Sequence, residues 1–140
     1  MKNLTKSILA ALAFSAVTVS LAEVVVIVSA KSKVGALSKQ QVSELFLGKL
    51  ATYPDGSQAI PIELADGTPA RDEFHNKFTG KSTSQLKAYW SKMVFGGMGS
   101  PPKEVPAPAN VKQLVAENPS IIGYLDKSLV DASVKVVAAP

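Results

Sequence analysis

The chain has 140 residues, 46% hydrophobic and 19% charged, with no cysteine, which fits one folded domain and excludes a disordered or disulfide-stapled chain. Without cysteine and with a single histidine, His75, a zinc site of the Cys/His type is excluded. The net charge is +4, but Lys2 and Lys6 precede Ala22, and the other 13 basic residues exceed the 11 acidic ones too slightly to indicate a nucleic-acid-binding surface.

Residues 1–22 have the layout of a secretory signal peptide. Two lysines precede an uncharged apolar run over residues 8–21, and Ser20 and Ala22 supply small residues at the expected cleavage site. The alternative is a membrane anchor, but a spanning helix needs about 20 apolar residues, and Glu23 ends this run early. We therefore predict cleavage before Glu23, and a periplasmic domain formed by residues 23–140.

Sequence patterns in the first half of this domain predict two strands and a helix. Residues 24–28 form a β-branched run without alternation, which is typical of a strand covered on both faces. Ser38 with Gln41 three residues later forms a capping box that begins a helix, and Gly48 ends it. Residues 59–64 predict a second strand, in which Pro61 favours an edge position or the beginning of the strand.

The second half predicts three helices and two strands. Thr68 and Pro69 begin one helix, and the next runs from Ser82 or Thr83 to about Phe95. A Gly/Pro-rich stretch over residues 96–108 cannot be helical throughout. The fourth helix is expected to be capped by Asn110. With strands at 121–125 and 134–137, the alternation predicts an α/β fold with a mostly parallel small sheet flanked by helices.

The residue types needed for catalysis are not combined in any recognisable pattern. His75 lies beside charged residues on a predicted helix and has no second candidate ligand one turn on, so we interpret it as a surface residue. No Ser/His/Asp set and no acidic metal-binding loop can be assembled. Of the adjacent pair Tyr89 and Trp90, one is expected in the core and the other partly exposed, because neighbouring helical positions point about 100° apart. We predict a protein that is not an enzyme and needs no cofactor or metal.

One local pattern favours binding of an anion. Asp66, Gly67 and Thr68 join the second strand to a helix N-terminus, where unpaired N–H groups and a partial positive charge lie beside a hydroxyl. Such an arrangement can hold an oxyanion, with Arg71 one turn into the helix as extra charge. The alternative is that Thr68 and Pro69 only cap the helix.

Four sequence elements occur in one order along the chain and carry a family resemblance. They are VSELFLGK at 42–49, IPI at 60–62, Asp66-Gly67-Thr68 with Phe74, and NPSIIGY at 118–124. In this order they resemble the phosphate-binding proteins of ABC transporters in the type 2 periplasmic-binding superfamily, and especially its short, single-lobe members. The resemblance implies an α/β lobe, a ligand cleft between two such lobes, and an Asp-Gly-Ser-Gly-Thr loop that holds phosphate through hydroxyls and backbone N–H groups.

The chain departs from that pattern at the phosphate loop. Thr68 matches the Ser of the family loop, but Pro69 lacks the N–H of the following Gly, and Ala70 replaces the hydroxyl residue. Leu64 stands where the family has a phosphate-binding Arg, so a charge-assisted contact is lost. The 118 residues of 23–140 also amount to about half of a two-lobed protein.

The candidate ligand-binding residues therefore come from two loops. We expect the loop that follows the first strand to lie at the same end of a parallel sheet as the Thr68 loop. The full set is Asp66, Gly67, Thr68, Arg71, Ser29 and Lys31. The predicted function is weak binding of phosphate or another small oxyanion, with a second lobe supplied by a homodimer or an envelope protein. The alternative is a ligand-free lobe that acts as an interaction or adaptor module in the cell envelope.

Overall fold

A five-stranded sheet forms the centre of residues 23–140, which, with the isolated Ala13, are the residues described by the computed structural model. The predicted signal peptide otherwise lies outside the described residues. Within the described part, no helix combines the length and the apolar character needed to cross a membrane.

The strands and helices alternate for most of the chain. The strands are β1 (Val24–Ser29), β2 (Ile60–Leu64), β3 (Lys103–Val105), β4 (Ile121–Asp126) and β5 (Val134–Ala138). The helices are α1 (Lys39–Phe46), α2 (Pro69–Phe74), α3 (Thr83–Phe95) and α4 (Pro108–Glu117). A π-helical turn at His75–Thr79 continues α2, and a 3₁₀ turn at Lys127–Leu129 follows β4.

The strand order is β3-β2-β4-β1-β5, with β2 parallel to both β3 and β4. The first strand, β1, runs antiparallel to both of its neighbours, so it points against the other four strands. The predicted α/β fold with a mostly parallel sheet is confirmed, and β1 is its exception. All six residues of β1 are buried, and an apolar run covered on both faces does not reveal its direction.

The helix starts agree with their sequence signals in three of four helices. Capping boxes are present at Ser38 and Ser82, and Thr68 stands before α2 with Pro69 as its first residue. The expected cap at Asn110 is wrong, because the N-cap is Ala107, three residues earlier, and α4 begins at Pro108. Pro108 is suited to the first helical position because its fixed φ matches the helix and its missing N–H is not needed there. The Gly/Pro-rich stretch also contains β3, which at three residues is too short to produce a pattern.

Aromatic side chains fill the core on the face of the sheet that α2 covers. The Phe74 ring lies 4.6 Å from that of Phe46 and stacks on that of Tyr124 at 4.1 Å. On the opposite face, α4 packs so closely on Gly123 that an added Cβ would lie 2.9 Å from Val111. Glycine at this position therefore permits the close approach of helix and strand.

A smaller apolar cluster lies beneath α3. Trp90 is buried there with Leu47 and Leu86, and Tyr89 is partly buried against them, as expected for this pair. Although Val94 follows Trp90 by about one helical turn, it is 54% exposed, and Phe95 is 98% exposed. Met93 still packs against the cluster, whereas Val94 and Phe95 extend beyond it.

Phe46 and Phe95 provide a matched test of this core. Phe46→Ala is expected to lower the free energy of unfolding by about 3–5 kcal/mol, since it removes a buried ring in contact with two others. Phe95→Ala makes the same chemical change at an exposed site and should change stability by less than about 0.5 kcal/mol. Urea denaturation of both variants measures the difference. Equal stabilities would show that Phe46 is not a core anchor.

Candidate functional site

The two loops predicted to share one site lie at opposite ends of the sheet. Val28 near the end of β1 pairs with Ile122, and Ile60 at the start of β2 pairs with Ile121. The loop after β1 therefore lies where β2 begins, whereas Thr68 follows the end of β2. The expected proximity is wrong because β1 runs against the other strands.

The side chains of the loop after β1 also lie in different surroundings from each other. Ser29 is fully buried, and its hydroxyl donates to the carbonyl of Ala116 at 3.0 Å. Lys31 is exposed beside it. The Ser29 hydroxyl thus satisfies a helix carbonyl in the interior, and the end of the sheet that carries Thr68 is left as the candidate site.

At that end, the helix start uses most of its own polar groups. The Thr68 hydroxyl donates to the carbonyl of Ala65 at 2.9 Å and makes no cap. The N–H groups of Arg71 and Asp72 both donate to the Thr68 carbonyl, at 3.1 and 3.2 Å, and Pro69 has no N–H. The first turn therefore offers few free donors to an anion, and the charge at the site resides mainly in the side chain of Arg71.

The Arg71 guanidinium lies between two carboxylates. Its Nη1 donates to Oε1 of Glu104 at 2.7 Å and to the carbonyl of Leu64 at 3.0 Å, while Nη2 lies 3.6 Å from Oε2 of Glu63. Burial lowers the pKa of Arg71, but the charges of Glu63 and Glu104 raise it by more, so the net shift is upward. The guanidinium stays charged, and its outward edge already donates a hydrogen bond to the Glu104 carboxylate.

A buried acid–base pair lies behind Arg71 and was missed in the sequence. Glu63 is 1% and His75 3% exposed, and His75 Nε2 shares a short hydrogen bond with a Glu63 oxygen. The interpretation of His75 as a surface residue is wrong, because its ring is buried and contacts Glu63 of β2. A usable signal was present: Glu63 is the one charged residue within the apolar strand β2, and a buried charge requires a partner.

The hydrogen bonds around His75 determine where its hydrogens lie. The Thr79 hydroxyl is 3.1 Å from the His75 carbonyl, to which it donates, and 2.9 Å from Nδ1. Because the hydroxyl has only one hydrogen, it must accept from Nδ1–H for both contacts to be hydrogen bonds. A further hydrogen then lies between Nε2 and Glu63. In this arrangement the charges of the pair cancel, whichever of the two holds the shared hydrogen.

Tyr124 borders the same buried group. Its hydroxyl is buried and has no hydrogen-bond partner among the described residues. Burial raises the pKa of Tyr124, and the negative charge of Glu63 raises it further. The phenol therefore stays neutral. A polar cluster within the aromatic core consists of Glu63, His75, Arg71 and Tyr124.

Two open clefts of about 450 and 490 Å³ lie beside Arg71 and share Asp66, Leu86 and Lys87 in their walls. Lys87 Nζ lies 3.2 Å from Asp66, and this hydrogen bond is the main reason that the pKa of Asp66 is lowered. Arg71 and Lys87 thus each have an acidic partner, whereas Lys81, which also lines the first cleft, lies 5.1 Å from the centre of the Tyr89 ring. No three His, Asp or Glu side chains among the described residues are grouped to hold a metal ion.

The fold is shared with solved structures of substrate-binding proteins. A phosphate ABC transporter substrate-binding protein with bound phosphate from Clostridium perfringens has a TM-score of 0.65 at 22% identity over 83% of this chain and 44% of its own. An ABC-type phosphate transport receptor from Vibrio cholerae gives 0.66 at 16% identity over 83% and 45%, and PstS from Borrelia burgdorferi gives 0.62 at 10% over 84% and 47%.

This likeness confirms the predicted α/β fold, which the chain shares with one part of each of these substrate-binding proteins. The chain spans less than half the length of each of these three structures. No protein-family model and no curated protein sequence matches the chain.

The buried pair predicts a large effect of His75→Leu. Removal of the imidazole leaves Glu63 buried with Arg71 3.6 Å away, and loss of one partner of a buried pair costs about 3–5 kcal/mol. The neighbouring Asn76→Leu, at an exposed position, serves as the control and should change stability by less than about 0.5 kcal/mol. Chemical denaturation compares the two variants. Wild-type stability in His75→Leu would show that Glu63 does not depend on the imidazole.

Proposed function

We propose that this protein is exported and that residues 23–140 act in the periplasm as a substrate-binding lobe, which binds a small oxyanion such as phosphate weakly beside Arg71. The observation that carries this proposal is a charged guanidinium at the rim of an open cleft, next to the end of β2, in a fold shared with a phosphate-bound structure. Export is supported by the signal-peptide layout of residues 1–22.

The contacts available to an anion limit its affinity. Arg71 and Lys87 can each offer charge, and the Asp66–Thr68 segment can offer few donors, because the Thr68 hydroxyl already donates to Ala65. In an open cleft each hydrogen bond adds only about 0.5–1.5 kcal/mol, since it replaces one to water. A Kd of about 1 mM already requires −4.1 kcal/mol. A monomer should therefore bind phosphate no tighter than about millimolar.

Titration of the purified chain with phosphate and sulfate tests this proposal. Wild-type protein should bind with a Kd of about 1 mM or weaker, and the double variant Arg71→Ala/Thr68→Ala should lose this affinity. Lys31→Ala removes one positive charge at the opposite end of the sheet and should leave binding unchanged. The measurements are calorimetry and amide shifts in NMR spectra at several protein concentrations.

Two outcomes would contradict this account. A micromolar Kd in protein shown to be monomeric would mean that the site is better enclosed than its open clefts indicate. Equal binding by wild type and by Arg71→Ala/Thr68→Ala would show that the anion binds at another site. Micromolar affinity found only in a dimer or with an envelope partner would fit the proposal, because a second lobe can then cover the cleft.

One observation favours the alternative of an interaction module in the cell envelope. Val94 and Phe95 at the end of α3 are 54% and 98% exposed, Met98 shortly after the helix is 60% exposed, and Val94 also lines the larger cleft. Adjacent exposed apolar side chains of this kind mark protein contact sites. Under this alternative the lobe docks through the end of α3, and anions bind neither wild type nor variants.

A further inference from the structure

The outward edge of Arg71 is occupied by a side chain of the protein itself. Glu104, on the short edge strand β3, accepts a hydrogen bond from Arg71 Nη1 at 2.7 Å. We infer that Glu104 is an internal competitor for Arg71: an oxyanion reaches the guanidinium only when the Glu104 carboxylate leaves it. This inference rests on the proposed function, since it names the residue that sets the affinity of the same site.

The contacts of Arg71 divide into fixed and replaceable ones. Inward, Nη1 donates to the Leu64 carbonyl, and Nη2 faces Glu63, whose side chain is 1% exposed. Outward, the Glu104 side chain is 52% exposed, whereas that of Arg71 is 12% exposed. Only Glu104 can move into water without opening the core, so it is the one carboxylate that an incoming anion can displace.

The strand register explains why a carboxylate lies at this position. Glu63 and Glu104 are direct partners in the parallel pair of β2 and β3, so their side chains point to the same face of the sheet. Like charges in such positions repel each other, and the Arg71 guanidinium between them removes that repulsion. A phosphate or sulfate oxygen offers Arg71 the same charge-assisted hydrogen bond as a carboxylate does, and can therefore take the place of Glu104.

Displacement of Glu104 requires a side-chain rotation and leaves the strand in place. Val105, the next residue, is buried and pairs with Leu64, so it anchors β3 to the sheet. Both Arg71 and Glu104 line the larger cleft, together with Lys87. An anion that enters this cleft meets the exposed side of the Arg71–Glu104 pair.

The charges of the cluster indicate how strongly Glu104 opposes an anion. The charges of Glu63 and His75 cancel, because one hydrogen lies on Nδ1 and a second lies between Nε2 and Glu63, and the charges of Arg71 and Glu104 then cancel each other. The site is therefore neutral while Glu104 is in place. Removal of that carboxylate leaves one net positive charge, on a guanidinium with an unpaired N–H facing the cleft.

Glu104→Gln tests the inference, because it keeps the size of the side chain and removes its charge. The variant should bind phosphate about tenfold or more tightly than wild type, since the anion no longer displaces a charged hydrogen bond. Glu117→Gln makes the same charge change at an exposed position on α4 and should bind as wild type does. The gain should disappear in Arg71→Ala/Glu104→Gln, which shows that it acts through Arg71.

The outcomes separate this inference from the proposed function. If wild type binds phosphate and Glu104→Gln binds no more tightly, Glu104 only holds β3 to α2, and the inference alone is overturned. If Glu104→Gln binds and wild type does not, the inference stands and wild-type binding is overturned. If neither binds, both are overturned. If Glu104→Gln does not fold, Glu104→Asp takes its place, because it keeps the charge but shortens the side chain. Glu104→Asp should then bind phosphate more tightly than wild type, though by less than is expected for Glu104→Gln. Phosphate affinity equal to that of wild type would contradict the inference.

Discussion

The pairing of one buried carboxylate organises this lobe. Glu63 is buried in the apolar strand β2, between β3 and β4, where an unpaired charge would cost several kcal/mol. His75 and Arg71 both reach it from the helix that covers this face. The packing of α2, the π-helical turn after it and the position of the guanidinium together keep that carboxylate partnered.

The same pairing connects the core to the cleft. On its inner side, the Arg71 guanidinium contacts Glu63 and donates to the Leu64 carbonyl. These contacts orient its remaining edge toward the surface beside Lys87. A guanidinium fixed in this way needs no reorganisation to bind an oxyanion, but the nearest carboxylate, Glu104, occupies it first. The lobe therefore combines a preorganised cation with a built-in counter-charge, and this combination suits weak, exchangeable binding.

Local signals predicted the fold better than they predicted the site. Capping residues such as Ser38 and Ser82 and the apolar run of β1 depend on near neighbours in the chain, and the structure has them as expected. The direction of β1 depends on which strands flank it, and no pattern within six buried residues encodes that. Consequently the two loops placed together in the prediction lie apart.

The site depends on contacts between residues distant in the sequence. Arg71 was recognised from its helix position, but its partner Glu104 lies 33 residues further on, in a strand of only three residues. Glu63 is the one charged residue of β2, but the sequence of the strand does not show whether this charge is exposed or buried. Whether that charge is buried is decided by α2, which covers it and brings His75 into contact.

The most direct test of this account is the protonation pattern of the His75 ring, measured by ¹⁵N NMR on the only histidine in the chain. With Thr79 donating to the His75 carbonyl and accepting from the ring, Nδ1 must carry a hydrogen. The account predicts the shift of a protonated nitrogen at Nδ1, with a slowly exchanging hydrogen between Nε2 and Glu63. An Nδ1 without hydrogen at neutral pH would contradict it, because the charges of Glu63 and His75 would then no longer cancel behind Arg71.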